Sequence, residues 1–244
     1  MIEAIVFSYL LAFTIFNKDR RKKLLQKSKS NWILDILGLQ IQGLVIPLLA
    51  TVLLFQGLKK LFPAYHGIIE LSSGLAFLLN FVVIDYLYYW NHRLMHKKRC
   101  WDLHKVHHTS TQMDVFATSR NTLWTSFFFI YLWGNAIGVF LLNDAKPFIL
   151  SATLTACLDL WRHSEFLTNN LKVNNFLSQK LFLMTPKDHS WHHSNSSQQV
   201  NSNFGANLNI FDKLHKTYYS SENHPIVLGL PLSMSFVKKI LFPF

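Results

Sequence analysis

Residues 71–96 read LSSGLAFLLNFVVIDYLYYWNHRLMH, and this stretch decides the fold. Leu71 to Trp90 is a 20-residue run whose one charged side chain is Asp85. At a rise of about 1.5 Å per residue, such a run is long enough to cross the roughly 30 Å hydrocarbon core of a bilayer as a helix. It delivers His92 and His96 just past its end. Four residues apart on a helix, two imidazoles share a face and can reach one ion.

The same composition recurs on either side. Ile36–Leu58 runs 23 residues and Thr122–Leu142 runs 21 residues without a charge. Pro147–Trp161 follows after a short turn at residues 143–146 and carries only Asp159. Of the 244 residues, 50% are hydrophobic and 15% are charged, whereas an average soluble domain carries about 25% charged residues. The mean hydropathy is +0.18. This balance excludes disorder, a collagen and a disulfide scaffold, and the two cysteines, Cys100 and Cys157, cannot build a disulfide framework. The expected fold is an all-α integral membrane protein. About four transmembrane helices form two hairpins, and a cytoplasmic helical cap carries the histidines. Residues 1–32 are expected to be an apolar segment and a basic stretch, and residues 33–244 a single domain with its core motifs in 84–218.

The net charge is +11, and seven basic residues fall between Lys18 and Lys29. Lys and Arg concentrate in cytoplasmic loops, so this stretch marks topology and an anionic lipid surface, not nucleic acid. The preceding apolar segment, Ala4–Phe16, has its charges on the wrong side for a signal peptide and is expected to be a peripheral or partial span. Threading the chain from there puts residues 91–120, and everything after Arg162, on the cytoplasmic side. Of the twelve histidines only His66 then lies on the other side; nine gather near the ends of the apolar runs, and His215 and His224 lie in the tail.

Three clusters stand out: His92 and His96; His104, His107 and His108; His189, His192 and His193. The last two repeat an H-x-x-H-H pattern 85 residues apart. Read as helical faces, they are two similar half-sites, each contributing to one of two metals. Imidazole suits Fe, Zn, Cu and Ni. A structural zinc site usually employs Cys, and a zinc protease shows H-E-x-x-H; neither pattern occurs here. Thr185-Pro186-Lys187-Asp188 has the pattern of a helix N-terminus and places the third cluster on the first turns. Ligating imidazoles need an acceptor for the other ring N–H, a role open to Asp85, Asp159 and Asp188.

At these boxes the sequence resembles the fatty acid hydroxylase/sterol desaturase superfamily of membrane histidine-box di-iron enzymes. The likeness runs from about Ile84 to Tyr218. It includes the three boxes in order, Trp161-Arg-His163-Ser, Asn203-Phe-Gly205 and Asp212. It implies a di-metal site at the cytosolic membrane face over a lipid tunnel, and it adds His163 to the ligands. The ligand set is then His92, His96, His104, His107, His108, His163, His189, His192 and His193, with Asn203 ordered beside it. The resemblance further implies two Fe ions, replaceable by Zn on purification, and O2 as co-substrate. The activity would be that of a monooxygenase-type oxidoreductase, hydroxylating or desaturating an unactivated C–H bond of a fatty acyl, sterol or sphingoid lipid. Electrons would come from an external donor of the ferredoxin or cytochrome b5 type with its reductase, since the chain has no G-x-G-x-x-G element or haem or Fe–S motif. Some members carry a second histidine four residues after the central one, where this chain has Leu167. The competing readings are a carotenoid or isoprenoid ring hydroxylase, a membrane metal transporter and a membrane zinc hydrolase.

Overall fold

A computed structural model describes residues 1–241. Helices α1 (Ile2–Phe16) and α2 (Lys18–Leu25) open the chain, and the Asn17 side chain caps α2 by accepting from the N–H groups of Asp19 and Arg20. Two long helices follow, α3 (Lys29–Leu61) and α4 (Ser73–Met95). They are capped by Ser28 and Ser72, whose hydroxyls accept from the N–H groups of Asn31 and Leu75. Then come α5 (Thr125–Phe128), α6 (Ile130–Leu141), α7 (Lys146–Arg162), α8 (Leu171–Gln179), α9 (Pro186–His192), α10 (Ile210–Leu214) and α11 (Phe236–Leu241). Among the described residues there is no strand, only isolated bridges.

α3 and α4 are long and apolar enough to cross a membrane, with 33 and 23 residues. Their apolar side chains point outward: Leu44, Leu53 and Leu75 are 64%, 65% and 57% exposed. Polar ones point inward, at a one-turn π-helical segment in each helix. Gln42 donates to the Thr122 carbonyl at 2.7 Å. Asn80 donates to Asn135 at 2.7 Å and accepts from Ser151 at 3.2 Å. Polar side chains tie apolar helices together where hydrophobic burial cannot.

The second expected hairpin differs from the sequence reading. Thr122–Leu142 is not one helix: it breaks at Phe129, which has extended backbone angles. The Asn91 side chain holds the break open by donating to the Phe128 carbonyl and accepting from the Ile130 N–H, both at 3.0 Å. That leaves α6 with 12 residues and α7 with 17, about 18 and 26 Å long, short of a full span. The loops at the far ends of the two helix pairs are pinned together, Ile69 exchanging backbone hydrogen bonds with Leu141 and Asn143.

α1 packs on α7, with Leu10 buried against Val115 and Leu160. Residues 32 and 33 both lie inside α3, so no break in the chain separates the N-terminal stretch from the rest.

Candidate metal centre

Each histidine box is carried by a different local structure. His92 lies in the last turn of α4, and His96 caps that helix. His104, His107 and His108 do not lie on an α-helix; they follow and enter two short 3-10 turns, 101–103 and 107–109. His189 and His192 lie on α9, which Thr185 caps by accepting from the Asp188 N–H, and His193 closes it. His163 caps α7.

The nine imidazoles converge into two groups, each with its nitrogen atoms within 4.8 Å of one another. His92, His96, His104, His108 and His192 form the first; His107, His163, His189 and His193 form the second. The H-x-x-H-H boxes therefore do not serve one group each. Residues i and i+4 of box two join the first group and its i+3 residue crosses to the second; box three does the reverse.

The ring tautomers decide what these groups can hold. His92 Nδ1 donates to the Phe204 carbonyl at 2.8 Å, and His192 Nδ1 donates to the Ser202 carbonyl at 2.7 Å. A carbonyl only accepts, so each Nδ1 carries the proton and each Nε2 a lone pair. Yet these two Nε2 atoms face each other at 3.1 Å. The second group repeats the arrangement. His107 Nδ1 donates to the Arg120 carbonyl at 3.1 Å, His163 Nδ1 to the Asp159 carbonyl at 2.9 Å, and their Nε2 atoms lie 3.2 Å apart. Opposed lone pairs repel, and a cation between them converts repulsion into coordination. Further buried ring nitrogens lack any partner, among them His96 Nε2 and both nitrogens of His108. Burial, reinforced by neighbouring imidazoles, pushes His104, His107, His108, His189, His192 and His193 well below the ordinary histidine range. These six rings are thus neutral, as metal ligands must be. The donor set fits two imidazole-ligated transition-metal ions.

Of the four residues expected to support the ligands, only Asp159 touches a ring, its Oδ1 lying 3.3 Å from His163 Nδ1. Asp85 binds no histidine: it accepts from Tyr131 and from the N–H groups of Asn207 and Leu208 at 2.9–3.0 Å, tying α4 to the 203–209 loop. Asp188 accepts from Ser178 and Tyr218. Asn203 sits in the left-handed region (φ 54°), which Asn tolerates, and ties down the Asp188 carbonyl and both backbone groups of Tyr219. Its neighbours Ser202 and Phe204 then present one carbonyl each to His192 and His92. Asp212 fixes the same turn, accepting from the N–H groups of Phe204 and Gly205 at 2.8 Å.

These backbone acceptors were invisible to sequence reading, because a carbonyl belongs to every residue. The Leu167 position is a left-handed turn (φ 68°) and adds no ligand. His215 lies outside both groups, beside Tyr86 Oη at 3.2 Å. A strand-like strap closes the polar side: Gly229 and Leu230 donate to the carbonyls of His193 and His108 at 3.0 and 2.7 Å.

Residues 77–217 match the sequence model of the fatty acid hydroxylase family. The chain belongs to that family. Among its relatives, the alkylglycerol monooxygenase of Xenopus tropicalis is 26% identical over 169 residues, 68% of this chain and 35% of that protein. The human alkylglycerol monooxygenase is 27% identical over 154 residues, 62% of this chain and 32% of the relative. The ornithine lipid hydroxylase OlsE of Rhizobium tropici is 30% identical over 144 residues, 58% of this chain and 41% of that protein. The chain spans 32% to 41% of the length of these relatives. No solved structure matches it.

Proposed function

We propose that this chain is a membrane-bound di-iron oxidoreductase that hydroxylates a C–H bond in a polar lipid. The observation that carries this is the pair of opposed Nε2 lone pairs in each histidine group, which need a cation. The relatives' names, alkylglycerol monooxygenase and ornithine lipid hydroxylase, favour hydroxylation over desaturation and a lipid with a polar headgroup. In this reading the nine histidines hold two iron ions, the first group offering five imidazoles and the second four. Iron bound there would supply the O2 activation and C–H oxidation that no side chain can perform.

The residues supply orientation and exclusion. Backbone carbonyls of Phe204, Ser202, Arg120 and Asp159 hold four Nδ1 protons, so the Nε2 atoms stay free for metal. Phe129, at the break between α5 and α6, lies over His92 and His104 with ring centroids 6.0 and 5.4 Å apart. Tyr88 stacks on Phe129 and reaches His92. These rings form the apolar face on which a lipid chain would rest.

Inserting one oxygen atom into C–H and releasing the other as water consumes two electrons and two protons; an external one-electron donor would deliver the electrons in turn, and solvent the protons. Trp101 is the half-buried ring closest to that task. It lies 5.0 and 5.2 Å from His96 and His108, beside the exposed Lys97, Lys98 and Arg99. Two membrane-crossing helices, α3 and α4, with the shorter α6 and α7 beside them and the boxes on the cytoplasmic side, complete the proposal; the outward apolar faces of α3 and α4 support it.

Lipid mass spectrometry of a host expressing the chain, beside the same host expressing His107→Ala, tests the reading. A lipid heavier by one oxygen only with the unmodified chain is expected. Identical lipidomes under aerobic, iron-replete growth would count against it.

A further inference from the structure

The basic N-terminal stretch, which sequence reading assigns to lipid contact, reaches the histidine groups through four buried charges. Lys27 Nζ lies 2.6 Å from Asp35 Oδ2 and 3.0 and 2.7 Å from the two Asp114 oxygens. Arg120 Nε donates to the other Asp35 oxygen at 2.6 Å. The side chains of Lys27, Asp35, Asp114 and Arg120 are 3%, 0%, 5% and 1% exposed, so two cations and two carboxylates balance without water. Arg120 Nη1 adds bonds to Asn31 Oδ1 at 3.1 Å and Thr109 Oγ1 at 3.4 Å.

Arg120 is also the residue whose carbonyl accepts from His107 Nδ1. Its backbone is fixed from a second side by α3, which has glycine at the point of closest approach. A Cβ on Gly38 would lie 2.3 Å from the Ser119 carbonyl oxygen and 3.1 Å from Arg120 N. The carbonyl that sets the His107 tautomer therefore hangs between an ion network and a helix contact, to which Lys27, Asp35 and Gly38 contribute from before residue 40. Outer partners of a ligating histidine fix its ring and raise its basicity, and losing one typically costs 10–100-fold in metal affinity.

We propose that Lys27, Asp35 and Arg120 are positioning residues for the second histidine group: they hold the Arg120 carbonyl in place, orient His107, and so set that group's affinity for its ion. This rests on the metal reading given above. The first group takes its carbonyls from Ser202 and Phe204, outside this network, so the effect is selective for one of two ions.

The test titrates Co(II) into the purified chain in detergent, following the cobalt absorption bands and the metal bound per chain. The unmodified chain should bind two ions. Lys27→Met should keep one at its original affinity and bind the other at least tenfold more weakly, with Lys27→Arg restoring both. Arg20→Gln removes a neighbouring basic residue paired to Glu165 instead, and should bind two. Combining Lys27→Met with His107→Ala should cost the second ion no more than His107→Ala alone, whereas combining it with His96→Ala should weaken both. Gly38→Ala keeps all four charges and presses only on Ser119 and Arg120. It reports in place of Lys27→Met if that variant does not fold. Folded Lys27→Met or Gly38→Ala protein binding both ions as the unmodified chain does would overturn the inference. An unmodified chain binding fewer than two ions would instead contradict the metal reading itself.

Discussion

Asn203 contacts no imidazole, yet the first histidine group depends on its backbone angle. Its left-handed turn aims the Ser202 and Phe204 carbonyls at His192 and His92, and its side-chain amide holds the turn by donating two hydrogen bonds and accepting one. Asn203→Ala should lower the affinity for the first ion by roughly 10–100-fold while leaving the second group intact. A Co(II) titration matching the unmodified chain at both sites would refute this role. Gly205 beside it has no room for a side chain, since a Cβ would lie 2.2 Å from the Leu208 carbonyl oxygen. The histidine residues were legible from their spacing, and His163 from the family pattern. Their carbonyl acceptors were not, because only the folded 202–204 turn and the Arg120 loop select which carbonyl meets which ring.

Protonation acts on the same residues. Burial lowers the six cap histidines, so below about pH 6.5 the unfolded chain takes up protons that the folded chain refuses. Their stabilising contribution is complete above that pH and falls as pH drops further. Asp212, pushed up to about 6 by burial, has the opposite sign, favouring the fold as pH falls from about 6 towards 4. Asp188, which burial also raises, acts in the same direction, but six imidazoles against these two carboxyls leave the first effect dominant, and proton competition for ligands adds to it. The midpoint of thermal unfolding should therefore fall steadily from pH 7 to pH 5; a flat or rising midpoint would contradict the buried neutral rings.

At the scale of elements, apolar length alone misjudged α5 and α6. A 21-residue uncharged run suggests one span, but hydropathy does not register that Asn91 on α4 satisfies the two backbone groups freed at Phe129. Asn91→Leu removes both partners and leaves those groups unmet, so it should cost about 1–3 kcal/mol of stability. Equilibrium unfolding in detergent measures this, and a change below about 0.5 kcal/mol, ordinary for a surface substitution, would show that the break needs no clamp. Box two was misread for a related reason. The i, i+3, i+4 pattern describes an α-helix, whereas 104–108 is bracketed by 3-10 turns that send His107 away from His104 and His108.

Over the whole molecule, the charge pattern concealed structure. The stretch Lys18–Lys29 reads as a solvated basic face, yet Arg20 pairs with Glu165 at 3.0 Å and Lys27 is enclosed with Asp35 and Asp114. Lys27→Met would leave a buried charge uncompensated and should cost about 3–5 kcal/mol. The proposed topology rests on the loop 63–69 and the basic turn 97–99 lying at opposite ends of α4. In a cell, Tyr65→Cys should react with an impermeant thiol reagent from outside, and Cys100 should react only after the membrane is opened. The reverse pattern would invert the proposed orientation.

The central claim is that two imidazole groups each hold one ion. Anomalous diffraction at the iron edge, from protein loaded with Fe(II) without oxygen, tests it most directly. The account predicts two peaks, one enclosed by His92, His96, His104, His108 and His192, the other by His107, His163, His189 and His193, with no carboxylate ligand on either. A single peak, or iron bound away from these histidines, would contradict it.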